Sequence, residues 1–196
     1  MLTARLDHEL ASKGFSRKKT TWNRDQGMLV EVIDLQVNKV GEAVTMNVGI
    51  LSRPIYFACW GRDADQFIEE QFCTVRARVG QLIDNKDRWW ELRGEGVAEE
   101  MVDCIGARIL PFLERMRSLE ALRDWLASTG IPSSKRPLQS ICFAALESEL
   151  CGPTAACAVL AELESNAMGA WKARAREVAM RIGCAPRPGP NGSGSN

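Results

Sequence analysis

The chain has 196 residues, with 25 basic and 25 acidic side chains and a formal net charge of zero. This balance provides no overall field for a nucleic acid backbone or an anionic membrane, so we expect neither partner. The length allows one domain with a substantial core, or one domain with an appended helical section.

The beginning of the chain carries charges, at Asp7 and Glu9, where a secretion signal would have its apolar core. No apolar run reaches the roughly 18 residues that a membrane helix needs. Seven cysteines are an odd number, and their spacing lacks the close pairs of zinc sites. We therefore predict a soluble cytoplasmic protein with reduced thiols, of which Cys59 is the most exposed, and neither a metal nor a cofactor.

Hydrophobic periodicity predicts a helix followed by a sheet. Leucines at every fourth position predict an amphipathic first helix that runs to about Lys13 and ends at Gly14. Residues 20–24 and 28–38 predict a hairpin. The alternation of residues 43–51 predicts a third strand.

Residues 72–80 predict the fourth strand, with Cys73 on its apolar face and Arg76 and Arg78 on the other. The preceding residues, 52–71, are less regular and are predicted to be an insertion loop. After the strand, a charged turn brings Trp89 and Trp90 to the sheet edge. Since neighbours on an extended segment point to opposite sides, one ring is expected in the core.

The second half of the chain has the period of helices. The predicted helices cover residues 97–116 with a kink at Pro111, 119–128, 137–151 and 154–182. The last two form an antiparallel hairpin.

The predicted fold is therefore α+β: an N-terminal helix, a four-stranded and mainly antiparallel sheet, and a helical C-terminal half that ends in a helix hairpin. We place an α+β domain at residues 1–130, with its sheet at about 20–80. A helical extension packed on it covers 131–184, and a disordered tail covers 185–196.

A series of short motifs in residues 1–128 resembles the bacterial domain-of-unknown-function family 4304. These motifs are Gly14-Phe15, Trp22-Asn23-Arg24, Leu35-Gln36, the N-x-G-I at 47–50, the C-x-x-x-x-R-x-G at 73–80, the WW-x-L at 89–92, Pro111-Phe112 and the SLEAL at 118–122. The resemblance implies an antiparallel α+β domain with no established activity, in small bacterial cytoplasmic proteins, some of them beside toxin or defence systems. Residues 137–182 resemble the helical extension of some members.

Polar residues on neighbouring strands predict one shared surface. Asp34, Gln36, Asn47, Arg76 and Arg78 would lie on it if the polar sides of their strands coincide. Two guanidiniums beside amides could clamp a carboxylate or phosphate. The alternative is a solvated outer face on which the arginines pair with Asp34 or Glu31.

Trp89 is a further candidate, because exposed aromatic rings serve as binding anchors. The alternative for Trp89 is packing at the sheet edge.

We interpret the chain as a non-enzymatic binding protein, an immunity or accessory protein that meets a protein partner or a small anionic ligand. No catalytic residue is assigned in this interpretation. The alternative is a small enzyme for a phosphate- or carboxylate-bearing substrate, with an arginine clamp and Asp34 as base. A homo-oligomer formed through the C-terminal helices is also expected from the small residues Ala156, Ala167 and Ala175.

Overall fold

The computed structural model describes residues 2–184, so the tail at 185–196 lies outside the described residues. The chain begins with helix α1 (Leu2–Ser12). Gly14, with φ of 84°, ends this helix, and the Phe15 amide donates to the Leu10 carbonyl. The predicted first helix and its glycine end are confirmed.

Within residues 2–184, six strands form one antiparallel sheet, which confirms the α+β prediction but adds two strands to the four expected. They are β1 (Ser16–Lys18), β2 (Thr21–Gln26), β3 (Leu29–Val37), β4 (Ala43–Ser52), β5 (Val75–Arg78) and β6 (Trp90–Glu91). They follow the order β1-β2-β3-β4-β5, and β6 also pairs with β4. The two unpredicted strands, β1 and β6, have three and two residues, too few to show an alternation.

One face of the sheet packs on the helices. Its buried side chains include Trp22, Ile33, Leu35, Met46, Val48, Ile50, Val75 and Ala77. Glu31 also lies on this face, because it pairs with Ile50. Its carboxylate is 1% exposed and holds two cations, with Arg24 Nε at 2.5 Å and Arg117 Nε at 3.1 Å. Glu31 is therefore no partner for the arginines of the opposite face, and the predicted pairing with Glu31 is wrong.

Residues 53–73 fold over part of the second face, and the irregular part of the predicted loop is limited to residues 61–69. Helix α2 (Arg53–Trp60) begins here because a proline that blocks strand pairing fits the first turn of a helix. A 3₁₀ turn (Glu70–Phe72) follows. The segment covers a second, smaller core formed by Val30, Val32, Leu51, Tyr56, Ile68 and Cys73.

The buried amide of Asn23 holds this segment on the sheet. Its Nδ2 donates to the Ile68 carbonyl at 3.0 Å, and its Oδ1 accepts from the Ile68 amide at 2.6 Å. Cys73 belongs to the smaller core and not to the main apolar face, so the predicted alternation begins only at Val75. A Cβ at Gly49 would lie 2.5 Å from Cys73 Sγ, which shows how closely the segment approaches the strand.

After β5 the chain forms the short helix α3 (Val79–Ile83) and then β6. Helices α4 (Val97–Cys104) and α5 (Leu110–Arg115) are joined by a π-helical segment, Ile105–Ile109. The helix predicted at 97–116 is thus interrupted, but the irregular segment precedes Pro111, which lies in the first turn of α5.

Helix α6 (Leu119–Ser128) has the predicted bounds. Ser118 Oγ accepts from the Ala121 amide at 3.2 Å and caps its N-terminus.

The C-terminal half continues with α7 (Pro137–Cys151), α8 (Pro153–Asn166) and α9 (Ala170–Arg181). The hairpin of α7 and α8 is as predicted, whereas the single helix expected at 154–182 is wrong. The break occurs because Gly169 adopts φ 56° and ψ −133°, which no helix contains.

Two of the alanines expected at an oligomer interface pack against helices of the same chain. Ala156 and Ala175 are fully buried between the helices, and Ala167 lies in the break. Oligomerisation itself stays a prediction. Across residues 2–184, no helix combines the length and apolar character needed to cross a membrane.

The cysteines differ from the expectation of free thiols. Cys157 and Cys184 form a disulfide that joins α8 to the residues after α9. Cys59 is buried, with its Sγ 3.9 Å from that of Cys142, so the prediction of an exposed Cys59 is wrong. The hydrogen bond with Cys142 and burial together raise the pKa of the Cys59 thiol, which makes it a poor nucleophile.

Candidate functional site

A cleft of about 660 Å³ lies over the half of the second sheet face that residues 53–73 leave uncovered. Five of the six residues predicted from the sequence line it, namely Asp34, Gln36, Asn47, Arg76 and Arg78. They come together because Asp34 pairs with Asn47 and Asn47 pairs with Arg78 across three strands. One wall is formed by Phe67, Glu69, Glu70 and Gln71, and the other by Lys18, Lys19 and Thr20.

The floor is a row of hydrogen-bonded side chains from four strands. Thr21 Oγ1 donates to Asp34 Oδ1 at 2.7 Å. Asn47 Nδ2 donates to Gln36 Oε1 at 3.0 Å, and Arg78 Nη2 donates to the same oxygen at 3.2 Å. These bonds fix the orientation of each polar group before any ligand arrives, which lowers the entropy lost on binding.

Asp34 is the half-buried carboxyl of this row. Burial raises its pKa most, and the nearby charge of Glu70 raises it further, while hydrogen bonds from Thr21 and Asn47 lower it in part. The net effect is a pKa above the ordinary value of 3.8. A carboxyl of this kind accepts and releases a proton closer to neutral pH than an exposed one.

Arg76 is bound to the wall of the cleft. Its Nε and Nη2 donate to Glu70 Oε1 and Oε2, each at 2.8 Å, in a bidentate ion pair. Glu70 is 9% exposed, so this pair is largely shielded from water on the carboxylate side. Sequence periodicity could not reveal the partner, because Glu70 lies outside the strands on the segment predicted to be a loop.

Arg78 is held at the other end of the row. Its Nη1 donates to Asp87 Oδ1 at 3.0 Å, and its Cζ lies 5.5 Å from the centre of the Trp89 ring. The Trp89 indole N–H donates to Asp87 at 2.9 Å, and together with Arg78 it holds the pKa of Asp87 below its usual value.

Trp89 is thus a support for Arg78 and does not itself line the cleft. Trp90 is buried beside it, which confirms that one ring of the pair enters the core.

The rim contributes two lysines that the sequence analysis missed. Lys18 and Lys19 are exposed, and among the described residues neither ammonium makes an ion pair within the chain in the region of the cleft. Lys19 has φ of 57°, a left-handed conformation that is uncommon for a residue other than glycine. Its position could have been predicted only from β1, because the turn between β1 and β2 brings it to the cleft.

In residues 2–184, no group of three or more His, Cys, Asp or Glu side chains is placed to hold a metal ion. The titratable groups of the cleft are carboxyls, lysines and arginines. Such a set is suited to binding charged ligands and, through Asp34, to proton transfer.

Comparison with known families gives one match. The model of the family described as "Domain of unknown function (DUF4304)" matches residues 6–115. The matched region contains the sheet, the cleft and the segment predicted to be an insertion, and it ends before the SLEAL motif at 118–122. No curated protein and no solved structure matches this chain.

Proposed function

The chain belongs to the DUF4304 family, and we propose that it is a bacterial cytoplasmic binding protein whose cleft receives the acidic group of a ligand or protein partner. An immunity or accessory role fits a protein of this kind. The observation that carries the proposal is the uncovered polar row on an otherwise covered sheet. Residues 53–73 bury the apolar part of the second face and leave Asp34, Asn47 and Arg78 accessible.

Arg78 is the floor residue that we propose binds the acidic group of the ligand. A guanidinium has five N–H groups, and the bonds to Asp87 and Gln36 use two of them. The others can donate to a carboxylate or phosphate without loss of the existing contacts. Lys19, at the rim on the β1 side, adds a flexible positive charge to the same cleft.

Arg76 has a different role in this proposal. Since both arms of its fork already hold Glu70, a ligand would have to break a charge-assisted pair to reach them. We assign Arg76 to the support of the cleft wall, through Glu70. This assignment separates the two arginines that the sequence analysis treated as one clamp.

Calorimetry with acetyl-glutamate amide tests the proposal. The Arg78→Ala and Lys19→Ala variants should each weaken the affinity roughly tenfold, as expected for the loss of a charge-assisted hydrogen bond. Arg176→Ala, on α9 and away from the cleft, is the matched control and should leave the affinity unchanged. Equal affinities for all four proteins would contradict the proposal.

A second candidate function is supported by Asp34. Its raised pKa and its place in a concave cleft favour a general base for a small phosphate- or carboxylate-bearing substrate. Such an enzyme would use Arg78 and Lys19 as its anion clamp. Asp34→Asn should then abolish turnover of a bound substrate and keep its affinity within about threefold, whereas a pure binding protein has no turnover to lose.

A further inference from the structure

A second cleft, of about 390 Å³, adjoins the first. The two share Lys18, Phe67 and Glu69 as common lining residues, so the side chains at their boundary belong to both. A ligand that enters the first cleft therefore meets the second without leaving the protein surface. We refer to the two adjoining clefts together as the groove, with Arg78 lining the first cleft and Tyr56 the second.

The chemistry of the second cleft differs from that of the first. Tyr56, Phe67 and Phe72 contribute aromatic rings to this cleft, Asp65 and Glu69 contribute carboxylates, and Lys18 contributes one ammonium. Aromatic faces attract cations through their negative quadrupole, and carboxylates add direct charge attraction. This end of the groove therefore favours a positive group, while Arg78 and Lys19 favour a negative group at the other end.

Cations of the chain itself already lie over these rings. Lys18 Nζ is 5.8 Å from the centre of the Phe67 ring, and Arg62 Cζ is 5.6 Å from that of Tyr56. Both distances are within the range of a cation–π contact. Phe67, which is half-buried, is the ring that a ligand cation can reach by replacing Lys18, whereas Tyr56 is buried in the smaller core.

These internal contacts are weak enough to exchange. Arg62 is 57% exposed and its partner Asp65 is 74% exposed, with 3.6 Å between Nη1 and Oδ1. An exposed pair of this kind contributes little to stability, so Asp65 can accept a cation from a ligand at low cost. Lys18 is likewise an exposed side chain on a flexible four-carbon stem.

We propose that the second cleft binds the lysine or arginine side chain of a peptide segment whose acidic residue occupies the first cleft. This inference rests on the proposed function and adds the partner class, a segment that carries both charges. A peptide fits because its backbone spans the boundary at Phe67 and its side chains reach down into each cleft. Phe67 is half-buried there and offers apolar contact to the connecting atoms.

Peptides of the form acetyl-Glu-(Gly)n-Arg-amide, with zero to three glycines, test the inference by calorimetry against the full chain. Each is paired with the same peptide that carries citrulline, a neutral isostere of arginine. At the best spacing the arginine peptide should bind roughly tenfold more tightly than its citrulline partner. Equal affinities at all spacings would overturn the inference and leave the proposed function intact, whereas no binding of any peptide would overturn both.

Variants of the second cleft test whether it binds the arginine of the peptide. Asp65→Asn, at an exposed position, should reduce the preference for arginine over citrulline and leave the citrulline peptide's affinity unchanged. Phe67→Leu should reduce the same preference and also weaken both peptides, because Phe67 lines the first cleft as well. Asp103→Asn, an exposed acid of α4 outside both clefts, is the control and should keep the full preference. A preference that survives in both cleft variants would overturn the assignment to this cleft.

Discussion

Arg76 and Glu70 meet through two parallel hydrogen bonds of 2.8 Å, which tie strand β5 to the segment that forms the wall of the cleft. The arginine is 37% exposed on its side chain and the glutamate 10%. Neutralising Glu70 would leave the Arg76 guanidinium without an opposite charge. Removing Arg76 would leave the carboxylate of Glu70, the more buried partner, unpaired in a site shielded from water. The pair therefore fixes the shape of the cleft.

Glu70→Gln should lower the free energy of unfolding by about 1–2 kcal/mol, since one arm of a charge-assisted fork is lost at a partly exposed site. Urea denaturation measures this change. Glu69→Gln is the matched control, because Glu69 is the exposed neighbour on the same wall. Its effect should stay within about 0.5 kcal/mol. Equal effects of the two substitutions would contradict a structural role for the Arg76–Glu70 pair.

Asp34 should make stability depend on pH in a recognisable direction. The pKa of Asp34 is raised in the folded chain. Its contribution to folding stability is therefore fully present below the ordinary pKa of 3.8 and is lost as the pH rises through the pKa of the folded state. Asp34→Asn should therefore gain stability relative to the parent protein as the pH rises from acid to neutral.

Asp87→Asn is the control of opposite sign. Because the pKa of Asp87 is lowered by Trp89 and Arg78, its contribution is present at neutral pH and lost in acid. Urea midpoints across the acid range compare the two variants. A parallel pH dependence of both would contradict the assigned directions.

Lys19 should show a conflict between stability and binding. Its φ of 57° suits glycine, so Lys19→Gly should be more stable than Lys19→Ala by roughly 0.5–1 kcal/mol. Both variants lack the ammonium and should bind acetyl-glutamate amide equally weakly. Thermal unfolding and calorimetry on the same samples measure the two effects. An affinity of either variant equal to or higher than that of the parent chain would exclude Lys19 from the site.

The Cys157–Cys184 disulfide should stabilise the C-terminal helices. The two cysteines are 27 residues apart, and a loop of that length corresponds to about 3.5 kcal/mol in the chain-entropy model. Cys157→Ser should lose this amount in urea denaturation without reductant, and the parent protein with reductant should behave in the same way. Cys151→Ser, an exposed free thiol, is the control. A stability of Cys157→Ser equal to that of the parent would contradict the bond.

The sequence predicted the floor of the cleft because strand alternation is a local property. The period of two in residues 43–51 and around Arg76 and Arg78 gave the side of each polar residue, and antiparallel pairing then aligned them. The family motifs pointed to the same region, and the family match covers it. Fold class and the floor of the site therefore follow from local patterns.

The walls of the cleft depend on tertiary contacts, which the periodicity of the sequence does not reveal. Pro54 lies in the segment predicted to be a loop, but in the folded chain it occupies the first turn of α2. Glu70 reaches Arg76 only after this segment has folded back, and Lys19 reaches the cleft only through the three-residue strand β1. The helix break at Gly169 was missed because the apolar stripe continues on both sides of it.

Amide chemical-shift mapping by NMR during titration with acetyl-glutamate amide tests the central claim most directly. The account predicts saturable shifts at the amides of Lys19, Gln36, Asn47 and Arg78, with those of the helices α7 to α9 unchanged. It also predicts that these shifts disappear in Arg78→Ala. Shifts that are absent from the cleft, or that persist unchanged in Arg78→Ala, would contradict the assignment of this surface as the binding site.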